Sequence, residues 1–153
     1  MAGYEVGESD QRDWGGYIVT AVNYDGNICA LCEKDITVKP GFMLSVQSHD
    51  RREENWIVSS GTLTVVLDGE VIRLETGEEI DIPMGAVHTM ANCSDAPCVV
   101  HEIQKGDCAE DDIHRYWDPN GRPVEQSADE RVLDSIKSCE DLMAQMPPAK
   151  KKR

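Results

Sequence analysis

Two stretches of this sequence decide the fold: GFMLSVQSHDRREENWIVSSG at residues 41–61 and GEEIDIPMGAVHTMAN at residues 77–92. In each, apolar and β-branched residues form short runs, and glycine or proline stands where one run gives way to the next. This pattern is typical of short β-strands joined by turns. The spacing is Gly41-x5-Gln47-x-His49-x4-Glu54-x6-Gly61 in the first stretch and Gly77-x5-Pro83-x-Gly85-x2-His88-x3-Asn92 in the second.

Together the two spacings resemble the two sequence motifs of the cupin superfamily, with Gln47 where many cupins carry a first histidine. The resemblance implies an all-β fold, a jelly-roll-like β-barrel, with one metal ion inside it. The alternation of side chains along a strand agrees with this, because Gln47 and His49 lie two residues apart and therefore point to the same face. The implied metal ligands are Gln47, His49, Glu54 and His88.

The implied ligand set indicates which metals would suit the site. Amide and carboxylate oxygens with imidazole nitrogens favour zinc, cobalt, manganese, iron or nickel. We expect one divalent ion, with zinc the first choice. A set without thiolates argues against a purely structural zinc, and four protein ligands leave positions for water or substrate oxygens. The alternative is a cupin that has lost its metal, in which these residues are ordinary interior side chains.

The remainder of the chain also predicts an all-β domain, because short apolar segments recur with turn residues between them. The clearest hairpin has Asp68-Gly69 at its tip, since this dipeptide supplies the positive φ angles of a type I′ turn. The predicted strands are Tyr17–Val22, Ile28–Cys32, Ile36–Val38, Phe42–Val46, Trp56–Ser59, Leu63–Leu67, Val71–Leu74, Glu79–Ile82, Thr89–Ala91 and Val99–Ile103.

Composition divides the chain into three parts. Residues 1–13 are polar and expected to be loose, residues 14–122 form the predicted barrel, and residues 123–153 form a linker, a short C-terminal α-helix and a basic tail. Ser127 and Glu130 have the spacing of a capping box that opens the helix, and Pro147-Pro148 is expected to end it. Its apolar stripe is expected to pack on its own barrel, with a partner subunit as the alternative; the members are Val132, Leu133, Ile136, Cys139 (or Glu140), Leu142, Met143 and Met146.

Charge and length exclude several classes of function. The chain of 153 residues has a formal charge of −14, so no basic face is available to bind nucleic acid. Its one dense basic run, residues 150–153, is interpreted as a solvated tail. No segment approaches the roughly 18 apolar residues of a membrane span, and the N-terminus has no signal-peptide pattern. We therefore expect a cytoplasmic protein that does not bind membranes.

The six cysteines are expected to remain thiols in that reducing compartment. Cys29-x2-Cys32 has the spacing of half a zinc site, but the remaining candidates, Cys93 and Cys98, are spaced differently and belong to another hairpin. Small buried thiols in strands are the better interpretation.

A more specific resemblance covers residues 12–122. The chain is similar to the cupin domain of type II mannose-6-phosphate isomerases, whose closing signature, Glu-x-Gln-x-Gly followed by Glu-Asp-Asp-Ile-x-Arg, generic cupins lack. Many members of that family also carry a nucleotidyltransferase domain, and we expect that second activity to be absent here. The matching runs are VKPGFMLSVQSH at 38–49, Arg52-Glu53-Glu54-Asn55-Trp56, IPMGAVH at 82–88, Glu102-Ile103-Gln104-Lys105-Gly106, EDDIHR at 110–115 and Gly121-Arg122.

The resemblance implies interconversion of mannose 6-phosphate and fructose 6-phosphate, or of a close sugar phosphate. This reaction needs a base, a charge stabiliser and a group that holds phosphate. A planar guanidinium donates two hydrogen bonds to phosphate, so the substrate-binding candidates are Arg52, then Arg115, with Lys105 and Arg122 behind them. The catalytic candidates are Arg52, Glu110, Asp111 and Arg115. His101 and Glu102 alternate on the last barrel strand, so only one of them points inward.

Three residues depart from the family pattern. Asp50, Arg51 and Asn55 stand where the family usually has histidines. They leave the four implied ligands in place, but they are expected to alter substrate contacts.

Two other functions remain open. The departures favour a non-catalytic cupin module that binds a sugar or metabolite. A metal-dependent cupin dioxygenase is also possible in principle, although the single phenylalanine and Gln47 argue against its usual dry, histidine-rich pocket. A homodimer is expected under each of these functions, since cupins often pair through their barrel faces.

Overall fold

The computed structural model describes residues 4–146, which form eleven β-strands and one α-helix. The strands are β1 Ser9–Arg12, β2 Gly15–Asp25, β3 Ile28–Val38, β4 Val46–Ser48, β5 Arg52–Ser60, β6 Leu63–Leu67, β7 Glu70–Leu74, β8 Glu79–Ile82, β9 His88–Ala91, β10 Cys98–Gly106 and β11 His114–Trp117, and the helix is α1 Glu130–Gln145.

The strands form two antiparallel sheets that face each other across one core. The six-stranded sheet has the order β1-β2-β3-β10-β5-β8 and the five-stranded sheet has the order β11-β4-β9-β6-β7. Apolar side chains from both sheets, among them Val38, Trp56 and Val65, pack between them. Burial of this apolar surface is the main stabilising contribution. The predicted all-β, jelly-roll-like fold with a C-terminal helix is confirmed.

Alternation along the strands divides the polar residues between the two faces. On β5, Arg52, Glu54 and Trp56 are buried while their neighbours are more exposed, and on β10 the inward residues include Glu102 and Gln104. The interior of this barrel therefore has an apolar part and a charged part, and the charged part holds the candidate site.

Two strands lie outside every predicted segment, and the predicted strand Phe42–Val46 is wrong except for Val46, where β4 begins. Ser9–Arg12 forms β1, which pairs with β2, so the expectation that residues 1–13 are loose is wrong for this segment. His114–Trp117 forms β11 beside β4. Both strands lie at sheet edges. Neither strand contributes a fully buried residue, and their sequences, SDQR and HRYW, lack the apolar alternation by which strands are recognised.

The Asp68-Gly69 hairpin forms as predicted. Asp68 has a φ of 47° and Gly69 a φ of 88°, the positive values that a type I′ turn needs. The Asp68 carboxylate also accepts a hydrogen bond from the backbone N–H of Val87 at 2.9 Å, which ties the hairpin to the turn before β9.

The helix packs on its own barrel, as expected. Val132 and Cys139 are buried against the outer face of the five-stranded sheet, where they meet Val46 and Val66. The helix begins later than the capping-box spacing predicts, because Asp129 is the N-cap and accepts a hydrogen bond from the N–H of Arg131. Leu133 and Met143, predicted in the apolar stripe, are 51% and 47% exposed. Pro147-Pro148 and the basic run at 150–153 lie outside the described residues.

All six cysteines are free thiols, and Cys29, Cys32 and Cys108 share one buried cluster. Burial raises the pKa of Cys32 and of Cys108 to about 12, so these thiols stay protonated and unreactive at neutral pH.

Over residues 4–146, the helix is too short and too polar to cross a bilayer.

Candidate metal centre

Strands of both sheets bring the predicted ligands together inside the barrel. Gln47 lies on β4, His49 directly follows that strand, Glu54 lies on β5 and His88 begins β9. Gln47 and His88 are cross-strand partners. His49, Glu54 and His88 are 2%, 4% and 1% exposed. Residues from separate parts of the chain thus form one buried polar cluster.

The distances in this cluster suit a single ion. His49 Nε2 lies 3.4 Å from Glu54 Oε2, and His88 Nε2 lies 3.8 Å from Glu54 Oε1. One ligand atom from each of the three residues lies within 4.8 Å of the others. Ligand bonds of about 2.0–2.2 Å place neighbouring ligand atoms roughly 3–3.5 Å apart around an ion, so modest side-chain adjustments would close the cluster around one.

Both imidazoles are held with the same ring nitrogen facing inward. His49 Nδ1 lies 2.7 Å from the carbonyl oxygen of Asp112, and His88 Nδ1 lies 2.9 Å from that of Ala86. A carbonyl only accepts, so each Nδ1 carries the hydrogen and donates it. Each Nε2 is then a bare lone pair aimed at the centre, which is how metal-binding histidines are usually oriented.

The strongest sign that a cation fits is an unsatisfied atom. His88 Nε2 is fully buried and has no hydrogen-bond partner among the described residues, an arrangement that ordinarily costs about 1–3 kcal/mol. Burial lowers the pKa of His49 to about 4 and also lowers that of His88. Both rings are therefore neutral at pH 7, the form that binds metals.

Arg52 forms hydrogen bonds with two of the candidate metal ligands. Its Nε donates to Glu54 Oε2 at 3.0 Å, and its Nη2 lies 3.2 Å from His49 Nε2. Burial opposes the charge on Glu54, but the permanently charged guanidinium that bonds to it favours the charged form, so the pKa of Glu54 lies below its usual value. A metal ion would take the His49 lone pair that Arg52 now uses. With Nη1 bonded to the carbonyl oxygen of Ala109, Arg52 belongs to the centre and has little left for a phosphate.

The amide of Gln47 borders the centre. Its Nε2 lies 3.4 Å from His49 Nε2, and its Oε1 accepts a hydrogen bond from Ser45 Oγ at 2.8 Å. The oxygen, the atom that would bind a metal, therefore points away from the centre in this arrangement.

Asp112 supports His49 from outside the cluster. It is buried, and its carboxylate accepts hydrogen bonds from the backbone N–H groups of Asp50 and Arg51 at 2.9 and 3.0 Å. Together with the hydrogen bond that the Asp112 carbonyl accepts from His49 Nδ1, these bonds fix the turn that carries the histidine. The sequence pattern placed Asp112 in an acidic run, but nothing in it distinguished this residue from its neighbours.

The alternation on β10 left open whether His101 or Glu102 points inward, and the structure shows that Glu102 does. It is 6% exposed, and its Oε2 accepts from Trp56 Nε1 at 3.1 Å, the same N–H that Glu54 Oε1 accepts at 3.0 Å. Burial and the nearby Glu54 raise the pKa of Glu102 to about 7. Its cross-strand partner is the buried Lys34, whose ammonium lies 3.9 Å from the ring centre of Tyr4.

Two of the predicted arginines lie on the other side of Gln47. Arg115 is the cross-strand partner of Gln47, and its Nε donates to Ser45 Oγ at 3.2 Å. Burial and then the charge of Arg122 lower the pKa of Arg115, while the carboxylate of Asp118 opposes them. Arg122 lines a small cavity of about 40 Å³ with Ser45, Gln47 and Asn120. Asn120 also lines a surface groove of about 820 Å³.

The other predicted site residues lie elsewhere. Lys105 is exposed and alternates with the inward-facing Gln104, so it points away from the centre. Glu110 is exposed, and Asp111 is an exposed partner of Arg51 at 3.3 Å. The structure does not bring these three residues to the cluster. The sequence pattern marked the acidic run, whereas only the folded chain shows which acid is buried.

The three residues that depart from the family pattern direct their side chains to partners outside the cluster. Asp50 Oδ2 lies 2.6 Å from His114 at the surface, Arg51 pairs with Asp107, and Asn55 donates to Asp81 on an exposed face. None of the three replaces a residue of the buried centre.

Comparisons with known proteins agree with this architecture. A mutant of Bacillus subtilis oxalate decarboxylase OxdC has a TM-score of 0.59 at 21% identity, over 71% of this chain and 29% of that one. KdgF from Halomonas sp. has a TM-score of 0.53 at 20% identity, over 60% of this chain and 79% of that one. A Cupin 2 conserved barrel domain protein from Salinispora arenicola has a TM-score of 0.53 at 17% identity, over 64% of this chain and 81% of that one. Fold and buried cluster together define a cupin domain.

Sequence comparison identifies the family to which this cupin domain belongs. The chain belongs to the family of mannose-6-phosphate isomerase C-terminal domains, whose model matches residues 3–118. It is 38% identical to the alginate biosynthesis protein AlgA of Pseudomonas putida over 126 residues, which is 80% of this chain and 25% of that protein. It is 44% identical to the mannose-1-phosphate guanylyltransferase of Escherichia coli over 90 residues, 58% of this chain and 19% of that protein. The chain thus spans about a quarter or less of the length of these curated relatives.

Proposed function

We propose that this domain binds one divalent metal ion, zinc in the first place, and isomerises mannose 6-phosphate and fructose 6-phosphate or a close sugar phosphate. The observation that carries the proposal is the pair of neutral histidines whose Nε2 atoms face Glu54, with His88 Nε2 buried and unpaired. The family match supports a sugar-phosphate substrate. When bound, the metal would supply electrophilic stabilisation of negative charge on the sugar oxygens.

The chain's own residues would divide the remaining tasks. His49, Glu54 and His88 would hold the metal, with Gln47 as a fourth ligand after its amide turns. We assign phosphate binding to Arg115, the cross-strand partner of Gln47, and to Arg122, which lines a cavity with Gln47, because neither forms an ion pair with another described residue. Their paired charges would also offset the repulsion of an anionic substrate by a chain of net charge −14.

Glu102 is the best candidate for the base that takes the C2 proton. It is a buried carboxyl that shares the Trp56 N–H with Glu54, and its pKa of about 7 matches the working range of a general base. The ammonium of Lys34 on the neighbouring strand favours the ionised form of Glu102. Glu110 and Asp111 are too exposed to share this water-poor environment.

Metal content and turnover test the proposal. Purified protein should hold close to one zinc or cobalt ion per chain and convert mannose 6-phosphate in a coupled assay. His88→Gln should lose both properties. His114→Gln is the matched control, because His114 lies at the surface between Asp50 and Glu125, and it should keep both. A wild-type protein that takes up no metal, or an H88Q variant that retains it, would contradict the proposed centre.

One observation favours a second function, a sugar-phosphate-binding module without metal. Arg52 already donates to both Glu54 and His49, so a cation of the protein occupies part of the centre. Such a module would bind mannose 6-phosphate with no metal present and show no turnover after zinc or cobalt is added.

A further inference from the structure

A chain of hydrogen bonds links Arg115 to the candidate metal centre, and Ser45 is one of its middle members. Arg115 Nε donates to Ser45 Oγ at 3.2 Å, Ser45 Oγ donates to Gln47 Oε1 at 2.8 Å, and Gln47 Nε2 lies 3.4 Å from His49 Nε2. Ser45 is 7% exposed. Its hydroxyl is therefore committed to these two neighbours and not to bulk water.

The single hydrogen of Ser45 decides which way the Gln47 amide faces. While Ser45 donates to Gln47, the amide oxygen must point toward Ser45 and the nitrogen toward His49. A half-turn of the amide would exchange the two atoms and present the oxygen to the centre. The amide nitrogen would then donate to Ser45, and a hydroxyl oxygen can accept that bond. This arrangement requires another acceptor for the hydrogen that Ser45 no longer gives to Gln47.

An anion held by Arg115 would provide that acceptor. Phosphate oxygens accept strongly and would compete for both the guanidinium and the adjacent hydroxyl. We propose that Ser45 is a positioning residue which couples phosphate binding at Arg115 to the orientation of the Gln47 amide, so that phosphate tightens metal binding. The inference rests on the proposed function, since it requires both the metal centre and the arginine site. By linkage, the metal must tighten phosphate binding by the same factor.

The coupling is measured by titrating the metal-free protein with Co²⁺ with and without inorganic phosphate, following both affinity and the visible absorption of the bound ion. Chloride at equal ionic strength controls for screening. In the wild type, phosphate should lower the Co²⁺ dissociation constant about fivefold or more and shift the visible band, because an oxygen ligand is gained. Neither readout depends on turnover.

Substitutions at Ser45 test whether the hydroxyl itself carries the coupling. Ser45→Ala should still bind Co²⁺, but the phosphate effect should fall below about twofold, the part that direct charge attraction leaves. Ser45→Thr keeps the hydroxyl and should keep the coupling. Ser45→Val has nearly the shape of threonine without the hydroxyl and should lose it. Ser48→Ala is the matched control, because Ser48 is a buried serine of the same segment that bonds to Tyr116 instead.

The outcomes distinguish this inference from the proposed function. If Co²⁺ binds and S45A or S45V retains the full phosphate effect, Ser45 is not the link, while the metal centre and the arginine site stand. If phosphate leaves Co²⁺ affinity and spectrum unchanged in the wild type, the coupling is absent and the inference is overturned. If the wild type binds no Co²⁺, the proposed metal centre fails and the inference fails with it.

Discussion

Replacing Asp112 by asparagine should destabilise the protein by about 3 kcal/mol at pH 7. The carboxylate of Asp112 is buried and accepts two backbone hydrogen bonds, from Asp50 and Arg51 at 2.9 and 3.0 Å. A hydrogen bond to a charged acceptor is worth about 1.5–3 kcal/mol. Asparagine keeps the shape but turns one acceptor into a donor, so one N–H loses its partner and the other faces a neutral oxygen. Urea unfolding followed by tryptophan fluorescence measures the change.

The effect of Asp112→Asn should also depend on pH with a definite sign. Burial opposes the charge of Asp112, but the two backbone N–H groups outweigh it and lower its pKa below the usual 3.8. A carboxyl with a lowered pKa stabilises the folded state above its unfolded pKa and loses that contribution as pH falls through the folded pKa. The stability difference between wild type and variant should therefore be constant from pH 7 to about 5 and shrink below about pH 4.

Asp111→Asn is the control for this experiment. Asp111 is the adjacent acid, its side chain is 74% exposed, and its one partner is the exposed Arg51. Its replacement should change the free energy of unfolding by less than about 0.5 kcal/mol. Equal losses in the two variants, or a loss in D112N that does not fade in acid, would refute the role assigned to Asp112.

Three further predictions follow from the site. Glu102→Gln should lower kcat for sugar-phosphate isomerisation by about 10²–10⁴-fold while metal content stays near one ion per chain; wild-type turnover in E102Q would exclude Glu102 as the base. Arg115→Ala should raise KM for the sugar phosphate at least tenfold, an expected loss of about 1.4 kcal/mol or more, whereas Lys105→Ala on the outer face should leave KM unchanged; equal effects of the two would contradict the assignment. Removing the metal with a chelator should lower the melting temperature of the wild type but not of H88Q, because an ion that binds only the folded state stabilises it by about 2.7 kcal/mol at 100 times its Kd; a melting temperature unaffected by chelator in metal-loaded protein would argue against a site at His88.

Much of the fold was predictable because it depends on local pattern. The Asp68-Gly69 turn and the strands on either side of it follow from backbone sterics and alternation, and the structure confirms them. The edge strands β1 and β11 were not predicted, because they bury too little surface to impose an apolar alternation on the sequence. The helix was expected two residues too early, because Ser127 and Asp129 both suit an N-cap and only the folded chain chooses between them.

The candidate site, too, could be predicted from the sequence only in part. Residue types and spacing alone determined that Gln47, His49, Glu54 and His88 stand at the positions of a cupin motif, since such a motif is a property of the linear chain. The tertiary structure alone decided that Glu102 is buried while Glu110 and Asp111 are not, and that Lys105 faces outward. It also decided that Arg52 bonds to the centre itself, while Arg115 reaches Gln47 through Ser45. The physical reason is that burial and pairing depend on which strands become neighbours, and β11 meets β4 only after more than sixty intervening residues have folded between them.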